Sequence, residues 1–157
     1  MNVRRIVTGH DAEGRATVQV DSQVGNVQSR RPGHEAAVIW STQGFPVDNG
    51  GNEDGAERET ASTVPNGSVF RIVSYGPECA PRVHRTDSID YGIVMFGKID
   101  MELDSRVVVH LKAGDVFVQR GTLHNWVNNG AEPCVIAFVL IDATPVSTSD
   151  GTLSARG

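Results

Sequence analysis

Turn residues interrupt this chain at short, regular intervals, and that rhythm constrains its fold more than any other feature. The apolar run "SVFRIVSY" ends at "GPECAP", and "YGIVMF" meets "KIDMELD" at Gly97, a junction that reads as a hairpin. "RVVVHL" and "VFVQR" flank the tight turn "KAGD", and "HNWVN" and "CVIAFVLI" flank "NGAEP". Upstream, "RRIVTGH", "ATVQVDS" and "AAVIWST" continue the pattern, the second with clear period-two alternation. No long stretch has the spacing of an amphipathic helix. Short strands with turns between them predict an all-β sandwich or barrel.

The chain has 157 residues, which predicts one domain with its own buried core. The net charge of −5 gives no basic field for nucleic acid. No run approaches the roughly 20 apolar residues of a membrane helix, and "MNVRRIVTGHDAEG" lacks the apolar centre of a signal peptide. The two cysteines, Cys79 and Cys134, form no CxxC pattern and are expected as free thiols in a reducing, cytoplasmic setting. Residues 1–143 are taken as the domain. Within it, the acidic, Gly-rich loop 48–67 has Val64 as its only large aliphatic residue. It is expected to be a solvated connection or a lid over a pocket. The Ser/Thr/Gly-rich tail 144–157 is expected to be disordered.

Residues two apart in a strand share a face. His84 therefore points with Thr86. Asp90 points with Gly92, Val94 and Phe96, and His124 with Trp126 and Asn128. If the sheet closes into a small barrel, His84, Asp90 and His124 can converge inside it, where there is room for side chains or one small ligand. Two imidazoles and a carboxylate form the facial triad that suits Fe(II) and other divalent ions. Each residue also has a plainer role open to it. His84 could bond a backbone carbonyl, His124 could be a core residue beneath Trp126, and Asp90 could cap the bend as an Asx turn. Arg120 is either a surface residue or a cation at the barrel mouth able to grip a substrate carboxylate. His10 and His34 lie near turns and His110 outside any motif, and none carries a signal.

These residues resemble the two motifs of the cupin family. The first motif, H-x-H, three or four residues, E, six residues, G, is matched by His84, Arg85, Thr86, three residues, Asp90, six residues and Gly97. The second ends in G, two residues, H, three residues, N, matched by Gly121, His124 and Asn128. Its opening glycine, Gly114, lies one residue too close, and Arg120 stands about where the motif has proline. The resemblance spans Arg82 to Asn128 and implies a double-stranded β-helix, or jelly-roll barrel.

The resemblance also implies a metal site. Three of its four ligand positions are His84, Asp90 and His124, and the fourth is Thr86, a weak donor at best. Thr86, Arg120, Trp126 and Asn128 are then candidates for the substrate pocket. The implied cofactor is a divalent ion (Fe, Mn, Zn or Ni). The implied activity is a metal-dependent reaction on a small organic acid or carbonyl compound, of decarboxylase, dioxygenase, isomerase or lyase type. The alternative is a barrel that binds a small molecule without metal or catalysis. "HRTDSIDYG" with "VQRGTLHNW" is similar to short single-domain cupins that occur beside catabolic or biosynthetic enzymes. Small cupins commonly pair, so "RRIVTGH" and "ATVQVDS" are expected at a homodimer interface.

Overall fold

The structure, a computed structural model, describes residues 1–157. It contains strands and turns and no helix, in agreement with the all-β expectation. The strands are β1 (Arg4–His10), β2 (Ala16–Gln23), β3 (Gln28–Arg31), β4 (His34–Gln43), β5 (Gly67–Tyr75), β6 (Ser88–Phe96) and β7 (Lys98–Leu103). They continue as β8 (Val108–Lys112), β9 (Val116–Arg120), β10 (His124–Val127), β11 (Cys134–Asp142), β12 (Val146–Thr148) and β13 (Gly151–Leu153).

A six-stranded antiparallel sheet runs β3-β4-β5-β11-β6-β9, and a three-stranded one runs β10-β7-β8. From β6 to β11 the chain crosses repeatedly between these sheets, which gives the barrel its jelly-roll path. This corrects the hairpin expected at Gly97. β6 and β7 lie in different sheets, and Gly97 is the corner between them. Its φ is +78°, and a Cβ there would sit 2.3 Å from Pro133 O. The turns at "KAGD" and "NGAEP" also join strands of different sheets. Within the three-stranded sheet the hairpin is β7–β8, closed where Arg106 N donates to Leu103 O and Leu103 N to Val107 O.

The core follows from period-two alternation. In β11, Cys134, Ile136, Phe138 and Leu140 are buried while the residues between them are half-exposed. Val73, Val94, Ile99, Leu111 and Trp126 meet them from both sheets. In β6, Asp90, Gly92 and Val94 face inward as expected, but Phe96 is exposed, beyond a register shift at Val135/Ile136. Gly92 makes room for the Phe117 ring, which a Cβ would meet at 2.0 Å. Phe117 therefore leans in against Trp126 and Phe138, with ring centroids 5.3 and 5.8 Å away.

The acidic loop 48–67 is pinned to the barrel. Asp54 pairs with the buried Arg5, Ser41 Oγ donates to Gly55 O (2.6 Å), and Val64 is buried. The tail also differs from expectation. Its β12–β13 hairpin is followed by a backbone bridge between Arg156 and Arg85, with N–O distances of 2.9 and 3.0 Å. β1 and β2 pair only with each other. Cys79 and Cys134 are both buried and unpaired.

Candidate functional site

One cavity of the barrel gathers His34, His84, Asp90 and His124. His84 lies just before β6, and His124 opens β10. Their backbones exchange two hydrogen bonds of 3.0 Å, an isolated bridge that holds the two rings together. The ring centroids are 4.3 Å apart. Each Nδ1–H donates to the carbonyl two residues earlier, His84 to Arg82 O and His124 to Thr122 O, both at 2.9 Å. A carbonyl can only accept, so Nδ1 carries the proton and Nε2 keeps its lone pair. Burial holds both imidazoles below their usual pKa, with His124 at about 4. Both are neutral at pH 7 and able to donate electron pairs.

Asp90 and Gln119 are cross-strand neighbours on β6 and β9, and both are buried. Ser88 Oγ donates to Asp90 Oδ1 and lies 2.8 Å from Thr86 Oγ1. Burial pushes the Asp90 carboxyl up, and the Ser88 bond and the Arg71 charge oppose that shift. Gln119 Nε2 donates weakly to Thr122 Oγ1 (3.3 Å), while its Oε1 is buried without a partner. Trp126, Phe138 and Leu140 supply an apolar wall, with the Trp126 and His124 centroids 5.8 Å apart.

The opposite wall is cationic. Arg31, Arg71 and Arg82 line the same cavity, together with His34 and Tyr75. Burial, and next the charge of Arg31, lower the His34 pKa to about 4. This inner cavity is small, about 60 Å³. It shares Arg31, His34, Ser62, Arg71 and Arg82 with a wider cleft of about 620 Å³ bounded by β3, β4 and residues 57–62. Here the acidic loop touches the site, since Ser62 lines the cavity and the Ala61 and Ser62 carbonyls accept from Arg71 Nη2.

Comparison with known proteins fixes the lineage. Residues 70–141 match the cupin domain family. The cupin-domain-containing oxidoreductase fogC of Aspergillus ruber is 38% identical over 92% of this chain and 74% of its own length. This chain belongs to the cupin family. The cupin-domain-containing oxidoreductase virC of Hypocrea virens is similarly close, 37% identical over 93% of this cupin and 79% of its own length. The Schizosaccharomyces pombe Cnp3 cupin domain shares the fold with a TM-score of 0.53, covering 88% of this cupin and 87% of that chain at 13% identity.

The cupin's cavity gathers His84, Thr86, Asp90, His124 and Trp126, all singled out in the sequence. Two other candidates lie elsewhere. Arg120 is exposed on β9 beside Ile89, Pro145 and Val146, because Gln119 takes the inward position and alternation turns its neighbour out. Asn128 lies beyond β10 with its amide fully engaged. It donates to Tyr75 O (2.8 Å) and Glu132 O (2.9 Å) and accepts from Gly130 N (2.9 Å). It staples the turn into β11 and takes no part in the cavity. No three His, Cys, Asp or Glu side chains cluster closely enough to hold a metal among themselves. His34, Gln119, Arg31, Arg71 and Arg82 escaped the motif comparison. Arg71 left a trace, since it occupies an inward position between Val69 and Val73 in an alternating strand.

Proposed function

We propose that this cupin is a metal-dependent oxidoreductase acting on a small organic acid or carbonyl compound. His84 and His124 would hold the divalent ion; Asp90 lines the same cavity but does not close with them into a three-residue cluster. The observation that carries this is the pair of neutral imidazoles, 4.3 Å apart, each with Nδ1 committed to a carbonyl and Nε2 free. That second hydrogen bond is the usual means of orienting a ligating histidine. The partnerless Gln119 Oε1 supports the fit with a further oxygen donor. Both relatives being oxidoreductases supports a redox reaction. A divalent ion held there would supply Lewis-acid or redox chemistry to the substrate.

The chain's own groups would do the rest. Asp90, linked through Ser88 to Thr86, can take or return a proton at its carboxylate. Trp126, Phe138 and Leu140 limit water around the reacting atoms. The metal-free alternative is a barrel that only binds a small molecule, and it draws support from the absence of a three-residue His/Cys/Asp/Glu cluster. A homodimer joined through β1–β2 belongs to the same reading. That hairpin pairs with no other strand and exposes Ile6 and Val18.

The test is an oxygen-electrode measurement on protein loaded with Fe(II) or Mn(II) and offered small carboxylic and carbonyl compounds, with CO₂ release followed in parallel. The expected result is metal-dependent O₂ uptake that His124→Ala abolishes. Turnover that survives removal of the metal overturns the metal role. CO₂ release without O₂ uptake overturns the redox assignment.

A further inference from the structure

We propose that Arg31, Arg71 and Arg82 form an anion subsite that grips a carboxylate of the substrate where the inner cavity meets the outer cleft. This deepens the reading above by naming the group that the site recognises.

The charge pattern is the first argument. The chain carries 19 acidic against 14 Lys and Arg residues, so unpaired cations are not forced by composition. Arg4, Arg5, Arg15 and Arg58 each pair with a carboxylate. The other eight arginines pair with no side-chain carboxylate, and Arg31, Arg71 and Arg82 are the three of them that line the inner cavity, each donating to main-chain oxygens. Arg31 Nε donates to Ala80 O (2.9 Å), Arg82 Nη2 to Gly157 O (2.9 Å), and Arg71 Nη2 to Ser62 O (2.5 Å). The one carboxylate in the cavity, Asp90, takes its hydrogen bond from Ser88. Arginine cannot shed its charge near neutral pH, so three positive charges line one small space with no side-chain carboxylate bonded to them.

The second argument concerns orphaned atoms. Arg71 Nε and His34 Nδ1 are both buried without a hydrogen-bond partner. Buried polar groups in native proteins are normally satisfied, and a concentration of exceptions in one cavity marks a place where something else binds. A carboxylate offers two oxygens that match the guanidinium fork, accept from Arg71 Nε and relieve the repulsion among the three cations.

The third argument is position. Arg31, Arg71 and Arg82 belong to both the 60 Å³ inner cavity and the 620 Å³ cleft. An acid held there presents its neighbouring carbon to the chamber of His84 and His124. The rest of the molecule has space only in the cleft. A phosphate could satisfy the same forks, but the narrow, aromatic-walled inner cavity favours the flat carboxylate.

The experiment uses the full chain stripped of metal by chelator, in low-salt buffer, with succinate, neutral succinamide and inorganic phosphate as calorimetric probes. Succinate should bind saturably at one per chain and succinamide should not. Arg71→Met should weaken succinate about tenfold or more, the usual scale for losing a hydrogen bond to a charged group. Arg82→Met, at an exposed position that tolerates substitution, should weaken it in the same direction even if Arg71→Met fails to fold. Arg120→Met, on the outer surface, should change nothing. His124→Ala should keep succinate binding, so failure of the metal reading leaves this result intact. Equal affinity for succinate and succinamide, or unchanged affinity in Arg82→Met, overturns the subsite. Phosphate binding more tightly than succinate overturns the carboxylate assignment.

Discussion

Acidifying the metal-free protein should expose the cost of keeping His124 neutral. Only 3% of His124 is exposed, and its pKa falls from 6.5 to about 4, chiefly through burial. The unfolded chain takes up the proton near 6.5 and the folded chain only near 4. Between those values the unfolded state holds more protons, so stability falls as pH falls and levels off below about 4. The distance from 6.5 to about 4, at about 1.36 kcal/mol for each pH unit, amounts to roughly 3 kcal/mol. His34, whose pKa also falls to about 4, and His84, lowered by burial, act in the same direction. The raised carboxyl of Asp90 opposes both, since the folded state accepts that proton first. A difference measurement isolates His124. Urea unfolding from pH 7.5 to 4 should show wild type losing roughly 3 kcal/mol more than His124→Gln, which cannot titrate. Proton NMR of the His124 ring should place its midpoint well below 6.5. Parallel stability curves for the two proteins, or a ring midpoint near 6.5, would refute the reasoning.

Gly92→Ala should destabilise by about 1–3 kcal/mol in urea unfolding, because its Cβ would fall 2.0 Å from the Phe117 ring. Phe117→Leu in the same chain should recover part of the loss. Arg5→Met strands Asp54 and should cost roughly 1–3 kcal/mol; hydrogen exchange should quicken in β1 and β2 ahead of the barrel. Light scattering at micromolar concentration should report the mass of two chains, and a monomer mass would sink the homodimer.

Strand positions and inward faces were legible because they depend on local alternation. Cys134, Ile136, Phe138 and Leu140 face inward as their spacing requires, as do Asp90 and Val94. Which strands pair was not legible at the tight turns. Gly97 and the "KAGD" turn reverse the chain equally well within a sheet or between two sheets, and only the assembled barrel decides. The tail's composition suggested disorder, but it forms the β12–β13 hairpin and Arg156 pairs with Arg85, 71 residues away in sequence. In the site, the motif residues His84 and His124 stood out, whereas the cationic wall did not. Arg31, His34, Arg71 and Arg82 come from β3, β4, β5 and the segment before β6, and no local spacing links them. A net charge of −5 even pointed away from such a cluster. Arg120 was placed by its motif position, and the inward Gln119 shows that alternation was the better guide.

His84 and His124 are proposed to hold a divalent metal ion. Elemental analysis of protein purified without chelator or metal-affinity tag tests it most directly, on wild type, His84→Ala and His124→Ala. Wild type should carry about one ion per chain, and either substitution should remove most of it, since Thr86 is a poor substitute for an imidazole. Wild type without metal, or equal metal content in all three proteins, would contradict the claim.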